Sequence, residues 1–316
     1  MYEVLLFYKY YTVLDIQLLI MWQKEICNRL NLVGRILISE EGINGTLCGS
    51  KTDCNEYQKL VSNYVYLADM DIKKSKSEFI CFDNLKIKYK KEIVIIRENK
   101  EEISINDTAQ TISSDELHLL LKNKKEKDEI ILLDTRNSYE SRIGRFQGAI
   151  CPPINTSRDF KEYFKQNKTL FKNKKIIMYC TGGVRCERIS ALFKKYTETK
   201  EIYHLKNGIC SYVEKYPDGY FRGRNYVFDD RVSIKINNDV LTNCDLCNKP
   251  SDLYNNCLNA LCNKQYICCD NCYITKKMCC SEKCIVLTDN NKVPLRPPLK
   301  SRMYIKENYN ENTRMH

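Results

Sequence analysis

Residues 174–196 read KKIIMYCTGGVRCERISALFKKY, and this stretch decides the fold. The continuous apolar run ending at Cys180 lacks strand alternation, as expected of a parallel strand buried on both faces. GVRCERISALFKKY reads as the helix that follows. Between them, Thr181-Gly182-Gly183 lets the backbone curl so that successive amides point at one spot. Such a nest at a helix N-terminus holds an anion. A thiol at its centre has its thiolate stabilised, and the thiolate is the reactive form. The expected catalytic pair is therefore Cys180 and Arg185, the latter closing the ring with a fixed positive charge. Thr181, Gly182, Gly183 and Val184 form the cradle between them. A buried cysteine beside a tight turn is the purely structural alternative.

Working outward, EIILLDTR (129–136) is a second buried strand, ending in Asp134 and Arg136, and EIYHL (201–205) is a third. Ser113 and Glu116 stand at capping-box spacing and open a helix. Strands alternating with helices define an α/β domain over 113–217. Upstream, 2–11 reads as a strand and 15–31 as a helix. A hairpin follows around the glycine-rich Gly42–Gly45 connection, then a helix at 52–66. FICFDNLKIKYKKEIVIIR (79–97) supplies one or two more strands. The order β-α-β-β-α-β is ferredoxin-like, placing an α+β domain at 1–99. Residues 100–112 read as a polar linker, 218–285 as a cysteine-rich region, and 286–316 as an extended or disordered tail.

The chain of 316 residues has 43% apolar and 29% charged residues, which excludes wholesale disorder. No apolar run approaches the roughly 18–20 residues of a membrane helix, and the N-terminus lacks the features of a signal peptide. A cytoplasmic location is the expectation. The net charge is +11, from 51 Lys+Arg and 40 Asp+Glu. Residues 161–206 hold 12 basic and 4 acidic side chains, and a basic surface around Cys180 would suit a polyanion. A solvated lysine-rich face is the plainer reading.

Eighteen cysteines stand out, ten of them between Cys244 and Cys284. Without a secretory signal, their knuckle-like spacings read as metal ligation before disulfides. Ten thiols suffice for two four-cysteine zinc sites, with two left over. The expected ligands are Cys244, Cys247, Cys257, Cys262, Cys268, Cys269, Cys272 and Cys284, and a structural zinc would replace a core. Disulfides or metal-free thiols are the alternatives. Cys186, one helical turn past the cradle, either resolves an oxidised or sulfur-loaded Cys180 or simply packs against the sheet. His118 and His204 read as structural.

The loop resembles the Cys-x-x-Gly-x-Arg loop of the rhodanese fold. Asp134, Arg136, Glu140, Gly144, Gly148 and Ala149 match the same family's upstream pattern; Arg145 departs from its usual histidine. The six residues from Cys180 to Arg185 suit a sulfur-loaded cysteine rather than the longer loop of related phosphatases. SEEGING (39–45), YCTGGVRCE (179–187), GRNYVFDDR (223–231) and the cysteine spacings together resemble the tRNA uridine 5-hydroxylase (TrhO-type) family. That resemblance implies an acylphosphatase-like N-terminal domain and oxygen-dependent conversion of the wobble uridine of tRNA to 5-hydroxyuridine. Molecular oxygen is then co-substrate and tRNA the partner, with a persulfide on Cys180 as an intermediate. No residue pattern points to an iron, flavin or dinucleotide site. Asp134 and Arg136 would support the loop, and Tyr8, Tyr10 and Tyr11 would either stack on an unpaired base or pack a sheet. The competing functions are a sulfurtransferase acting on a small or protein acceptor, and a non-catalytic tRNA- or protein-binding module.

Overall fold

The computed structural model describes residues 1–97, 104–123, 130–199 and 201–303. The chain forms two compact units, one of residues 1–141 and 145–221, the other of 142–144 and the residues from 222 onward.

The first unit begins with a strand that is apolar on both faces. In β1 (Tyr2–Tyr10), Leu5 and Phe7 are fully buried in a core that includes residues of helices α1 (Ile16–Arg29) and α2 (Lys51–Ser62). Leu6, Tyr8 and Tyr10 point to the opposite face, because side chains alternate along a strand. With β2 (Val33–Ser39), β3 (Gly42–Gly49), β4 (Ile72–Ser77) and β5 (Leu85–Tyr89), β1 builds a sheet of order β4-β1-β3-β2-β5. The ferredoxin-like order is therefore present, with β5 added parallel to β2. Asp15 and Ser50 cap α1 and α2, each accepting a backbone N–H through its side-chain oxygen.

Three local expectations are corrected. The fourth strand is the lysine-rich 72–77, upstream of the apolar stretch that begins at Phe79. Gly42–Gly45 is not a turn but the start of β3, paired with β1 from Gly42↔Tyr10 onward. Val94 and Ile96 belong to no strand and bury their side chains in the second core, beside Leu133 and Ile176.

That second core lies in the α/β domain. Strands β6 (Gln110–Ile112), β7 (Ile130–Asp134), β9 (Lys175–Tyr179) and β10 (Glu201–Leu205) pair in parallel in the order β6-β10-β9-β7; a short β8 spans Gly144–Phe146. Part of the expected 100–112 linker is thus an edge strand. Among the helices are α3 (Ser114–Lys122), opened by the Ser113/Glu116 capping box, α4 (Ser138–Ile143), α5 (Phe160–Gln166), α6 (Lys168–Phe171), α7 (Val184–Tyr196) and α8 (Gly208–Lys215). Phe164, Phe171 and Phe193 meet edge to face, with Phe160 tilted against Phe164, and none of the four has exposed surface.

The second unit has an antiparallel ribbon of β11 (Phe221–Tyr226) and β12 (Ser233–Lys235). A smaller ribbon, β13 (Tyr254–Asn256) with β14 (Gln265–Ile267), and two short helices, α9 (Asp270–Thr275) and α10 (Glu282–Asp289), carry the cysteines. The main buried cluster of this cysteine-bearing part is six cysteines and Tyr266. The expected disordered tail is ordered as far as 303: α10 runs to Asp289, Arg296 N–H bonds Leu258 O, and Arg302 donates to Cys268 O at 3.1 Å. The rest of that expectation, 304–316, lies outside the described residues.

Candidate active site and cysteine clusters

Cys180 is the first residue past β9, and the loop it opens is held from below by α8. Ile209 N–H bonds Cys180 O at 2.9 Å and Cys210 N–H bonds Thr181 O at 3.1 Å. Gly208 permits this approach, since a Cβ there would lie 2.4 Å from Cys180 O. With its carbonyls tied down, the loop turns amides towards the sulfur: Gly183 N–H donates to Cys180 Sγ at 3.1 Å. Gly183 caps α7 with φ of 103°, a region that L side chains avoid.

Cys180 has no exposed surface. Burial opposes its anion, yet the Cys186 thiol, the Arg185 guanidinium and the amides of Arg185 and Gly183 outweigh burial and hold Cys180 well below the ordinary thiol range. The same exchange, added to burial, pushes Cys186 well above that range. Cys186 therefore stands as a thiol donor to a Cys180 thiolate. Thr135 Oγ1, which donates to Tyr179 O, lies 3.3 Å from Cys186 Sγ and fixes its position.

Arg185 is clamped by Glu140, which accepts from both terminal guanidinium nitrogens, from Nη2 at 2.7 Å. Thr181 Oγ1 sits 3.3 Å from the same Nη2. Glu140 is fully buried. It was visible in the sequence as a pattern match, but nothing in the linear order marked it as the partner of Arg185. Asp134 and Arg136 are brought to each other: Arg136 Nε and Nη2 donate to the Asp134 carboxylate at 2.9 and 2.6 Å, both side chains fully buried. Between them, Thr135 N–H bonds Tyr179 O and braces the strand end that leads to Cys180.

The loop is roofed by the bare face of the N-terminal sheet. A Cβ on Gly182 would meet Leu6 Cδ2 at 2.9 Å, and one on Gly183 would meet Tyr8 Oη at 2.7 Å. Tyr8 Oη donates to Glu187 Oε1 at 3.2 Å and Tyr10 Oη to Val184 O at 3.3 Å. Burial and then the Glu187 charge push Tyr8 far above the usual phenol range, so it stays protonated. Tyr11 stacks on Tyr66 instead. Tyr8 and Tyr10 thus close the loop from above. Glu187 also accepts from Thr108 Oγ1, and His204, almost fully buried, has its Nε2 3.7 Å from Glu187.

Only part of the basic stretch 161–206 stands at the Cys180 end: Arg185 and Arg188 in the first turns of α7, and Lys206 after β10. Lys174 and Lys175 stand at the start of β9, and Lys194 and Lys195 at the end of α7. Cys180 is at the other end of both elements, about 17 Å from Lys175 along the strand direction, while these helix lysines stand about 15–17 Å from the start of α7. Lys161, Lys165 and Lys195 gather instead over the Tyr196 ring at that far end.

In the second unit, eight thiols form two groups, Cys244/Cys247/Cys269/Cys272 and Cys257/Cys262/Cys280/Cys284, the sulfurs of each within 4.8 Å of one another. Cys247–Cys269 and Cys262–Cys280 are 3.6 Å apart and Cys280–Cys284 4.0 Å. A zinc tetrahedron with bonds of about 2.3 Å requires sulfurs about 3.8 Å apart, so both sets fit a thiolate-bound metal. Burial opposes ionisation of Cys244, but the amides of Cys269, Leu246 and Cys247, with the Cys247 thiol, bring it down to about 6. Cys268 is a correction. It belongs to neither group; its thiol faces Cys269 O at 3.5 Å and burial pushes it up to about 12. Cys280 takes its place. The two groups interleave along the chain, the first and third cysteine pairs sharing one site and the second and fourth the other.

The α/β domain with its cysteine cradle is of the rhodanese class: residues 115–215 match the family model described as a rhodanese-like domain. Residues 2–93 match the UPF0176 acylphosphatase like domain and 222–285 the rhodanase C-terminal model. The chain belongs to the tRNA uridine(34) hydroxylase family. It is 37% identical over 286 residues to the protein of that name from Protochlamydia amoebophila, covering 89% of this chain and 87% of the relative. The one from Staphylococcus aureus (strain bovine RF122 / ET3-1) is 38% identical, with 84% of each chain covered. That of Corynebacterium urealyticum is 34% identical, covering 89% of this chain and 96% of the relative.

Proposed function

We infer that this protein hydroxylates the wobble uridine of tRNA at carbon 5, with Cys180 as the reactive group. The observation that carries the reading is the match, along 84–89% of the chain, to relatives named for hydroxylation of uridine 34. The thiolate cradle supports it: a buried anion faced by amides and by Arg185 is a prepared nucleophile. Glu140 fixes the guanidinium and Asp134–Arg136 the strand end. Cys186 supplies the proton that the Cys180 anion shares. An outer sulfur on Cys180 would meet the same amides, so a persulfide suits this loop. Molecular oxygen is the co-substrate. The two four-cysteine sets hold structural zinc, which supplies folding energy and no chemistry at Cys180. No helix among the described residues is long and apolar enough to cross a membrane, and the cytoplasm is the proposed location.

The test is mass spectrometry of tRNA from cells with and without the gene, complemented by wild type or Cys180→Ser. We expect 5-hydroxyuridine to vanish without the gene and to return with wild type only, the variant being about 10³-fold or more slower. Unchanged modification together with efficient thiosulfate cleavage by the purified protein would establish a sulfurtransferase instead.

A further inference from the structure

Above the Cys180 loop stands a cation with no hydrogen-bond acceptor among the described residues. Lys73 lies in β4 directly across from Leu6, so its side chain shares the sheet face that carries Leu6 and Tyr8. Its Nζ is withdrawn from solvent, makes no hydrogen bond with the described residues, and sits 4.9 Å over the Tyr8 ring. The charged and titratable groups that act on it are Cys210, Asp71, Cys180 and Glu187. Both carboxylates are engaged elsewhere: Asp71 accepts from Asn207 Nδ2 at 3.1 Å, and Glu187 accepts from Tyr8 and Thr108. The loop's own Arg185 is likewise held by Glu140. A buried donor without an acceptor is rare in native proteins, and such a group marks the place where a ligand's acceptor arrives.

We propose that Lys73 reads the target base, donating a hydrogen bond to the 4-carbonyl oxygen of the uracil brought to Cys180. This deepens the hydroxylase reading and rests on it. Hydroxylation at carbon 5 puts that carbon against the Cys180 loop, and the 4-carbonyl is its immediate neighbour, whereas the 2-carbonyl lies across the ring. A backbone phosphate is the other acceptor a lysine takes, and an RNA with cytidine in place of uridine keeps every phosphate, so it separates the two. Cytosine carries an amino donor at position 4, so it would leave the ammonium facing another donor in a dry site. A site built to hydrogen-bond a group discriminates strongly against an analogue lacking it. Lys73 is thus a specificity-determining residue contributed by the N-terminal domain to a loop of the α/β domain.

The experiment compares binding of two anticodon stem-loop RNAs, identical except for uridine or cytidine at position 34, to the full-length protein. Wild type should prefer the uridine RNA by about tenfold or more. Lys73→Met, close in length and without donors, should lose that preference by weakening uridine binding to the cytidine level and leaving cytidine binding unchanged. Lys73→Arg, which keeps donors, should retain part of it. A preference that survives in Lys73→Met, or an equal loss on both RNAs, overturns the proposal while leaving the hydroxylase reading intact. If wild type binds neither RNA, the hydroxylase reading falls and the proposal with it.

Discussion

Cys180 and Cys257 are both fully buried thiols, yet their surroundings differ in kind. Cys180 is faced by amides, a guanidinium and a thiol donor; at Cys257 burial and the thiols of Cys280 and Cys284 outweigh the amides of Cys280 and Asn259 and push it up. In the first region fixed dipoles and charge of the chain stabilise the anion. In the second, no guanidinium stands among the causes, and four thiolates would repel one another unless a cation from outside joined them. A cysteine's chemistry is therefore set by what stands within hydrogen-bond distance of its sulfur.

The largest test of this contrast is Cys257→Ser. Wild-type protein should hold about two zinc ions per chain, and the variant at most one. Because structural zinc is worth about 10 kcal/mol or more in small modules, and the two sites interleave, the cysteine region should lose its fold, read as lost amide protection over 244–289. Less than a tenth of an equivalent of zinc in wild type would break the comparison. Next comes Glu140→Gln, which leaves Arg185 buried without its carboxylate. Urea unfolding should show a loss of about 3 kcal/mol, and an unchanged midpoint would mean that Arg185 is stabilised by other groups.

Cys186→Ala removes one donor from the Cys180 thiolate and should raise its pKa. Thiolate absorbance against pH reads this directly. The sign for stability follows from linkage. Cys180 ionises more easily folded than unfolded, so its ionisation adds stability that is full above about pH 8.5 and is lost as pH falls through the folded pKa. That increment should shrink in Cys186→Ala. The smallest effect belongs to Cys268→Ser, which should keep both metals and lose about 1 kcal/mol, whereas Cys280→Ser should lose one. Equal metal loss in the two would reverse their assignment.

The strand-to-helix passage at Cys180 was legible because a buried parallel strand and a glycine turn leave strong local marks. Arg185's partner was not, since Glu140 reaches it across forty-five residues of chain. β4 was missed because it is an edge strand, and the lysines that guard an edge erase the apolar alternation that reveals a strand. Val94 and Ile96 were misread for the opposite reason: an apolar run buries its side chains whether or not its backbone pairs. The basic stretch looked local to Cys180 because charge counted along the chain ignores that a strand and a helix carry their residues to opposite ends. In the doublets Cys268–Cys269 and Cys279–Cys280, only one neighbour of each pair joins a four-sulfur group, and spacing alone does not choose it.

The roof over the loop also bears on how far the site can be transplanted. Residues 113–217 contain the amides, the guanidinium and the thiol that lower Cys180. They leave behind Lys73, whose charge also acts on that sulfur, and the edge strand β6. Leu6 and Tyr8 would stay behind as well. The partners of the thiolate are mostly local; the surface set against it is not.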